Sequence, residues 1–133
     1  MRPIMIAALA ALLLSCSAGD NLAAADAGAK KFHQRLNAQD YAAIYRDSDA
    51  AFRSATTQAD LGKLLGAIRN KLGDHRSGQR VSWKVNYGTN AGTVLQFNSQ
   101  YAKGKAEETF TFTNGSDARL IGFNVNSPVL ITG

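Results

Sequence analysis

Cysteine occurs once in this sequence and proline twice. A single thiol cannot close an internal disulfide, so the fold must be held by its apolar core. Pro128 is the only proline after Pro3, which leaves helices and strands free to run without imposed breaks. Histidine occurs twice, on separate segments, with neither a cysteine cluster nor His-x-x-x-His spacing, so no metal site is expected. There is no Gly-x-Ser-x-Gly, no glycine-rich phosphate loop and no cysteine–histidine pair, so no catalytic residue and no cofactor are expected. Internal repeats, low-complexity tracts and charge blocks are missing too. The longest apolar run, from Ile4 to Leu14, covers roughly half a bilayer core as a helix, too short for a permanent span.

What is present begins with an address. Met1-Arg2-Pro3 puts one basic side chain before the apolar run, the layout of a secretory signal. Leu13-Leu14-Ser15-Cys16 then resembles a bacterial lipobox, with Leu14 bulkier than the residue usual at its place. The resemblance implies that residues 1–15 are removed and that the Cys16 thiol carries a diacylglycerol. Ser17 stands where an aspartate would resemble the inner-membrane retention signal. The resemblance therefore implies a cell-envelope protein anchored on the periplasmic side of the outer membrane. Residues 16–25, small and polar, read as a tether. Residues 26–133 suffice for one domain with one core.

Within that domain the hydrophobic period is first helical. Ala29, Phe32 and Leu36 form one stripe; Tyr41, Ile44 and Tyr45 form another after a break at residues 37–40. Leu61, Leu64, Leu65, Ile68 and Leu72 predict an amphipathic helix, capped by Thr57 and stopped by Gly73. After Gly78 the period becomes two. Val81, Trp83, Val85 and Tyr87 alternate with polar residues, as do Leu95, Phe97 and Tyr101, then Phe110 and Phe112, then Ile121, Phe123 and Val125. Four such runs joined by Gly/Asn turns predict an antiparallel meander with one apolar face packed on the helices, an α+β fold.

Helices carrying "DYAAIYRDSDAAF" and "ADLGKLLGAIRNKLG", followed by these strands, resemble small bacterial lipoproteins of the cystatin-like and nuclear-transport-factor-2-like superfamily. The resemblance implies a curved sheet and a cone between sheet and helices. It implies no single activity, because that fold serves isomerases, dehydratases, binding modules and immunity proteins. Its enzymes place a carboxylate or histidine dyad in the cone. Here the predicted inward strand positions are Val, Trp, Tyr, Leu, Phe and Ile. Glu107-Glu108 opens a strand, so only one of them faces inward, and it reads as an edge charge rather than a general base. Tyr41, Tyr45 and Tyr87 are candidates for a pocket mouth, or ordinary core-edge residues.

Two surfaces draw notice. Arg69, Lys71, His75, Arg76 and Arg80 cluster around a loop able to meet an anion, although a solvated helix end complementing its dipole, plus a loop, is the plainer reading. The polar strand face, with Lys84, Asn86, Gln96, Asn98, Thr109, Thr111 and Asn124, is poor in charge, as interface cores are. The expectation is a lipid-anchored binding protein without catalysis, meeting a protein partner or a second copy and no nucleic acid. An inhibitor or immunity protein and an envelope-assembly accessory are concrete forms of it. The alternative is a small-molecule-binding protein or enzyme using the cone, which a titratable group projecting into a real cavity would favour.

Overall fold

The computed structural model describes residues 17–132, so Cys16 lies outside the described residues. The helices α1 (Ala18–Asn37), α2 (Tyr41–Arg46), α3 (Ala50–Ala55) and α4 (Gln58–Leu72) come first. The strands β1 (His75–Asn86), β2 (Gly92–Tyr101), β3 (Gly104–Phe112) and β4 (Leu120–Asn126) follow, then a short α5 (Pro128–Thr132) that the sequence pattern does not predict. The strands pair antiparallel in the order β1-β2-β3-β4, and helices pack against one face of the curved sheet. The fold is α+β.

Helix α1 starts earlier than expected. The Ser17 hydroxyl accepts from the Asp20 N–H, and the Asp20 carboxylate accepts from the Ser17 N–H, a reciprocal cap. Residues 18–25 are therefore the first two turns of α1 and no tether. The alanine-rich run favours helix once capped, and burial of Asn21 and Ala25 fixes it in place. Helix α4 follows its pattern more closely: Thr57 caps it, Gly73 at φ 73° ends it, and Leu61, Leu65, Ile68 and Leu72 are buried. Leu64 alone of the predicted stripe stays exposed. The core closes where Phe32 meets Phe110 edge-on, ring centroids 5.1 Å apart, beside fully buried Leu95 and Leu65.

Strand β1 departs most from expectation. The segment 75–80, read as a loop, is its first half. Trp83 pairs with Leu95, which pairs with Phe110, so the indole does lie on the helix side of the sheet. It is not buried there. Helix α1 crosses the sheet diagonally: Asn37 bonds His75 at the start of β1, whereas Asn21 accepts from Gly115 in the β3–β4 turn. The second half of β1 is left uncovered, and Val81, Trp83 and Tyr87 are 52%, 44% and 62% exposed. Trp83→Ala is accordingly expected to cost about 1 kcal/mol or less, not the roughly 3–5 kcal/mol of a core indole. Urea unfolding of the two proteins checks this.

Candidate functional site

The first half of β1 is where helix and sheet bring chemistry together. His33 belongs to the Ala29–Phe32–Leu36 stripe of α1 and is 8% exposed. Four residues on, the Asn37 side chain clamps the His75 backbone, donating from Nδ2 to its carbonyl at 3.0 Å and accepting from its N–H at 2.8 Å. That clamp sets the end of α1 against the start of β1. The two imidazoles stack, with centroids 3.5 Å apart and planes within 5°.

Beneath them lies a carboxylate. Strand alternation sends Ala106, Glu108, Phe110 and Phe112 inward together, and Glu108 is 1% exposed. His33 Nε2 lies 3.0 and 3.1 Å from its two oxygens. The Tyr101 hydroxyl donates to Oε2 at 2.6 Å, and the Ser99 hydroxyl donates to Oε1. Burial alone would raise the Glu108 pKa, but His33, Ser99 and Tyr101 outweigh it and hold the carboxyl below its usual range. Burial, then the Glu108 charge and hydrogen bond, push the Tyr101 hydroxyl up, so it remains a donor. A carboxylate only accepts, so Nε2 of His33 carries the proton.

This corrects two expectations. The inward face does hold an acid, and Glu108 is a buried partner of a histidine rather than an edge charge; Glu107 faces out. Deep burial is tolerated because every Glu108 oxygen has donors.

A cavity of about 490 Å³ opens over the imidazoles, lined by Asp26, Ala29, Lys30, His33, Gln34, Asn37, His75, Gly78, Arg80 and Phe97. Its polar rim carries two cations, Lys30 and Arg80, against one carboxylate, Asp26, which pairs with Arg80. His33 Nδ1 makes no hydrogen bond among the described residues and is not a sealed atom. As the unprotonated nitrogen of a residue that lines the cavity, it is the ring position left to accept a proton. Burial, then the neighbouring His33, lower the His75 pKa to about 4, so His75 is neutral near pH 7. A second cavity, of about 350 Å³ and on the other flank of α1, includes Lys31, Arg35 and Arg119 but no histidine.

His33, His75 and Glu108 bring three ligand atoms within 4.8 Å of one another. Their geometry still suits a hydrogen-bond relay better than a metal. An imidazole lone pair lies in its ring plane, and two parallel planes 3.5 Å apart never aim at one point. Sharing an ion would require one ring to turn and Glu108 to leave its donors.

The predicted surfaces fare unevenly. The anion-binding loop is dispersed: Arg69 pairs with Asp74 at 2.6 Å, Lys71 bonds the Leu130 carbonyl, Arg80 pairs with Asp26, and His75 turns inward. Arg76 is left exposed, with no ion pair among the described residues. The polar strand residues do share the outer face, since Ser82, Gln96, Thr109 and Asn124 form one row and Lys84 aligns with Thr111. Glu107 and Lys105 join that face, making it more charged than expected, and Asn86 is partly covered, its carbonyl bonded by Asn114. Tyr45 shares its hydroxyl between the Arg53 and Thr56 carbonyls and ties α2 to α3. Neither it nor Tyr41 or Tyr87 lines the histidine cavity.

Residues 28–122 match the family model described as "Protein of unknown function (DUF4019)". The match spans well over half of the chain, which belongs to that family. It includes His33, His75 and Glu108. No curated protein and no solved structure matches the chain.

Proposed function

We propose that this member of the DUF4019 family is an envelope protein, anchored through Cys16, that binds a small organic acid in the cavity above His33. One observation carries the reading: a buried carboxylate holds one nitrogen of an imidazole that lines a cavity, and the ring's other nitrogen has no hydrogen-bond partner among the described residues. Burying Glu108 and His33 costs several kcal/mol of desolvation, and apolar residues of similar size would serve stability as well or better. A buried carboxylate with a shifted pKa, bonded to an imidazole that lines a cleft, is the kind of arrangement functional sites use. The site favours the small-ligand alternative over the protein-partner expectation.

The chemistry of the ligand follows from the walls. Ala29 and Phe97 offer apolar contact, Lys30 and Arg80 offer positive charge, and His33 Nδ1 accepts a proton from an acid or, once protonated, bonds its anion. Resemblance to the cystatin-like and nuclear-transport-factor-2-like superfamily, whose cones hold ligands, agrees with this use. Benzoate is a suitable probe. Calorimetric titration should give saturable binding that His33→Gln weakens about tenfold or more, the worth of one charge-assisted hydrogen bond. Equal affinity in both proteins would remove His33 from the site.

A further inference from the structure

Five large apolar side chains are strongly exposed among the described residues, and three of them, Val81, Trp83 and Tyr87, lie on or just beyond β1. We infer that this strip is a second membrane contact, resting in the headgroup layer of the bilayer that receives the N-terminal segment. The inference rests on the proposed anchoring at Cys16.

Position is the first argument. Helix α1 is capped at Ser17, so the chain outside the structure ends one bond from a rigid element. The start of α1 is stapled to one end of the sheet. Asn21 accepts from the Gly115 N–H at 2.8 Å, and Asn114 donates to the Asn86 carbonyl at 2.8 Å. Thr93 donates to the Asn114 amide oxygen at 2.8 Å. Tyr87 follows Asn86 directly, and the apolar strip leads up β1 to that same end. An anchor joined there without a spacer holds this end of the domain against the membrane.

Chemistry is the second argument. Tryptophan and tyrosine are the side chains that favour the membrane–water boundary, with an apolar body and a polar tip. The turn beside them, Gly88-Thr89-Asn90-Ala91, carries no charge that would have to be desolvated. A second copy added along the β1 edge is disfavoured by the bulge between Arg80 and Ser82 and by the charges of Arg76, Arg80 and Lys84. An edge so twisted and charged pairs poorly with its own image.

Trp83 is the only tryptophan, so its fluorescence reports this contact alone. The full-length chain, purified from bacterial membranes, would be placed in phosphatidylethanolamine–phosphatidylglycerol vesicles carrying bromine at graded acyl depths. Mass spectrometry of the N-terminal peptide would report lipid on Cys16 in the same sample. The expected result is a blue-shifted Trp83 emission, quenched most by the shallowest bromines. A Trp83→Phe, Tyr87→Trp protein should behave alike. A lipidated, vesicle-bound chain whose emission is unquenched would overturn the membrane contact and leave the anchor standing. A blue shift without quenching, with dimeric mass in cross-linking, would give the strip to a second copy. A chain without lipid that washes off the vesicles would remove the anchor and this contact with it.

Discussion

Glu108→Ala is expected to destabilise the domain by about 3–5 kcal/mol, because the buried carboxylate is the acceptor for several buried donors. The deletion leaves His33 Nε2, the Tyr101 hydroxyl and the Ser99 hydroxyl aimed at a space none of them can fill. His33 Nε2 and the Tyr101 hydroxyl are then buried donors without an acceptor, each worth about 1–3 kcal/mol when stranded, while the Ser99 hydroxyl keeps His75 Nε2 at 3.3 Å. Such effects within one network are not additive, which keeps the total within the stated range. Glu108→Gln should cost less, because the amide oxygen still accepts from one donor, but its NH2 then opposes another. Urea unfolding of the three proteins checks the order. A loss near zero for Glu108→Ala would mean that the carboxylate is not sealed in the core.

The second large effect is acid lability. His75 in the unfolded chain titrates near 6.5, and in the folded protein only near pH 4. Between those values the unfolded state binds the proton and the folded state refuses it, so stability falls as pH drops from 6.5 to 4. The shift corresponds to about 3 kcal/mol as an upper bound, less whatever water screens at a half-buried ring. Glu108 acts in the same direction at lower pH. Its folded pKa is depressed, so the stability it supplies is present above about pH 4.5 and is lost as pH falls through the folded value. His75→Phe keeps a flat ring against His33 and removes the first titration. Its unfolding free energy should be nearly flat from pH 7 to 5, where that of the natural chain falls. Parallel curves for the two proteins would assign the acid loss to other groups.

The architecture was legible because its signals are periodic. The leucines of α4, the Thr57 cap, the Gly73 stop and the alternation of β2 to β4 all carry directly into the fold. The site was half legible. Strand parity that turns Phe110 and Phe112 inward also turns Glu108 inward, two residues earlier, and the stripe through Ala29, Phe32 and Leu36 includes His33. Counting charges as surface by default hid both. Nothing local foretells the stacking of His75 on His33, because it depends on Asn37 joining elements 38 residues apart. The exposure of Trp83 was equally hidden: alternation gives the face of a sheet, and the diagonal path of α1 decides which part of that face is covered. The early start of α1 is the opposite case, a Ser17–Asp20 cap visible in sequence and outweighed there by the small, polar look of the segment.

The proposed function turns on one atom, Nδ1 of His33. With only two histidines in the chain, nitrogen-15 spectra of the imidazole side chains resolve all four ring nitrogens, and His75→Phe assigns them. Titration with benzoate at pH 7 is expected to move His33 Nδ1 strongly and saturably, while Nε2 keeps its proton and donates it in the hydrogen bond to Glu108. Unmoved resonances at benzoate concentrations that saturate the calorimetric signal, or shifts confined to His75, would contradict a ligand site built on the Glu108–His33 pair.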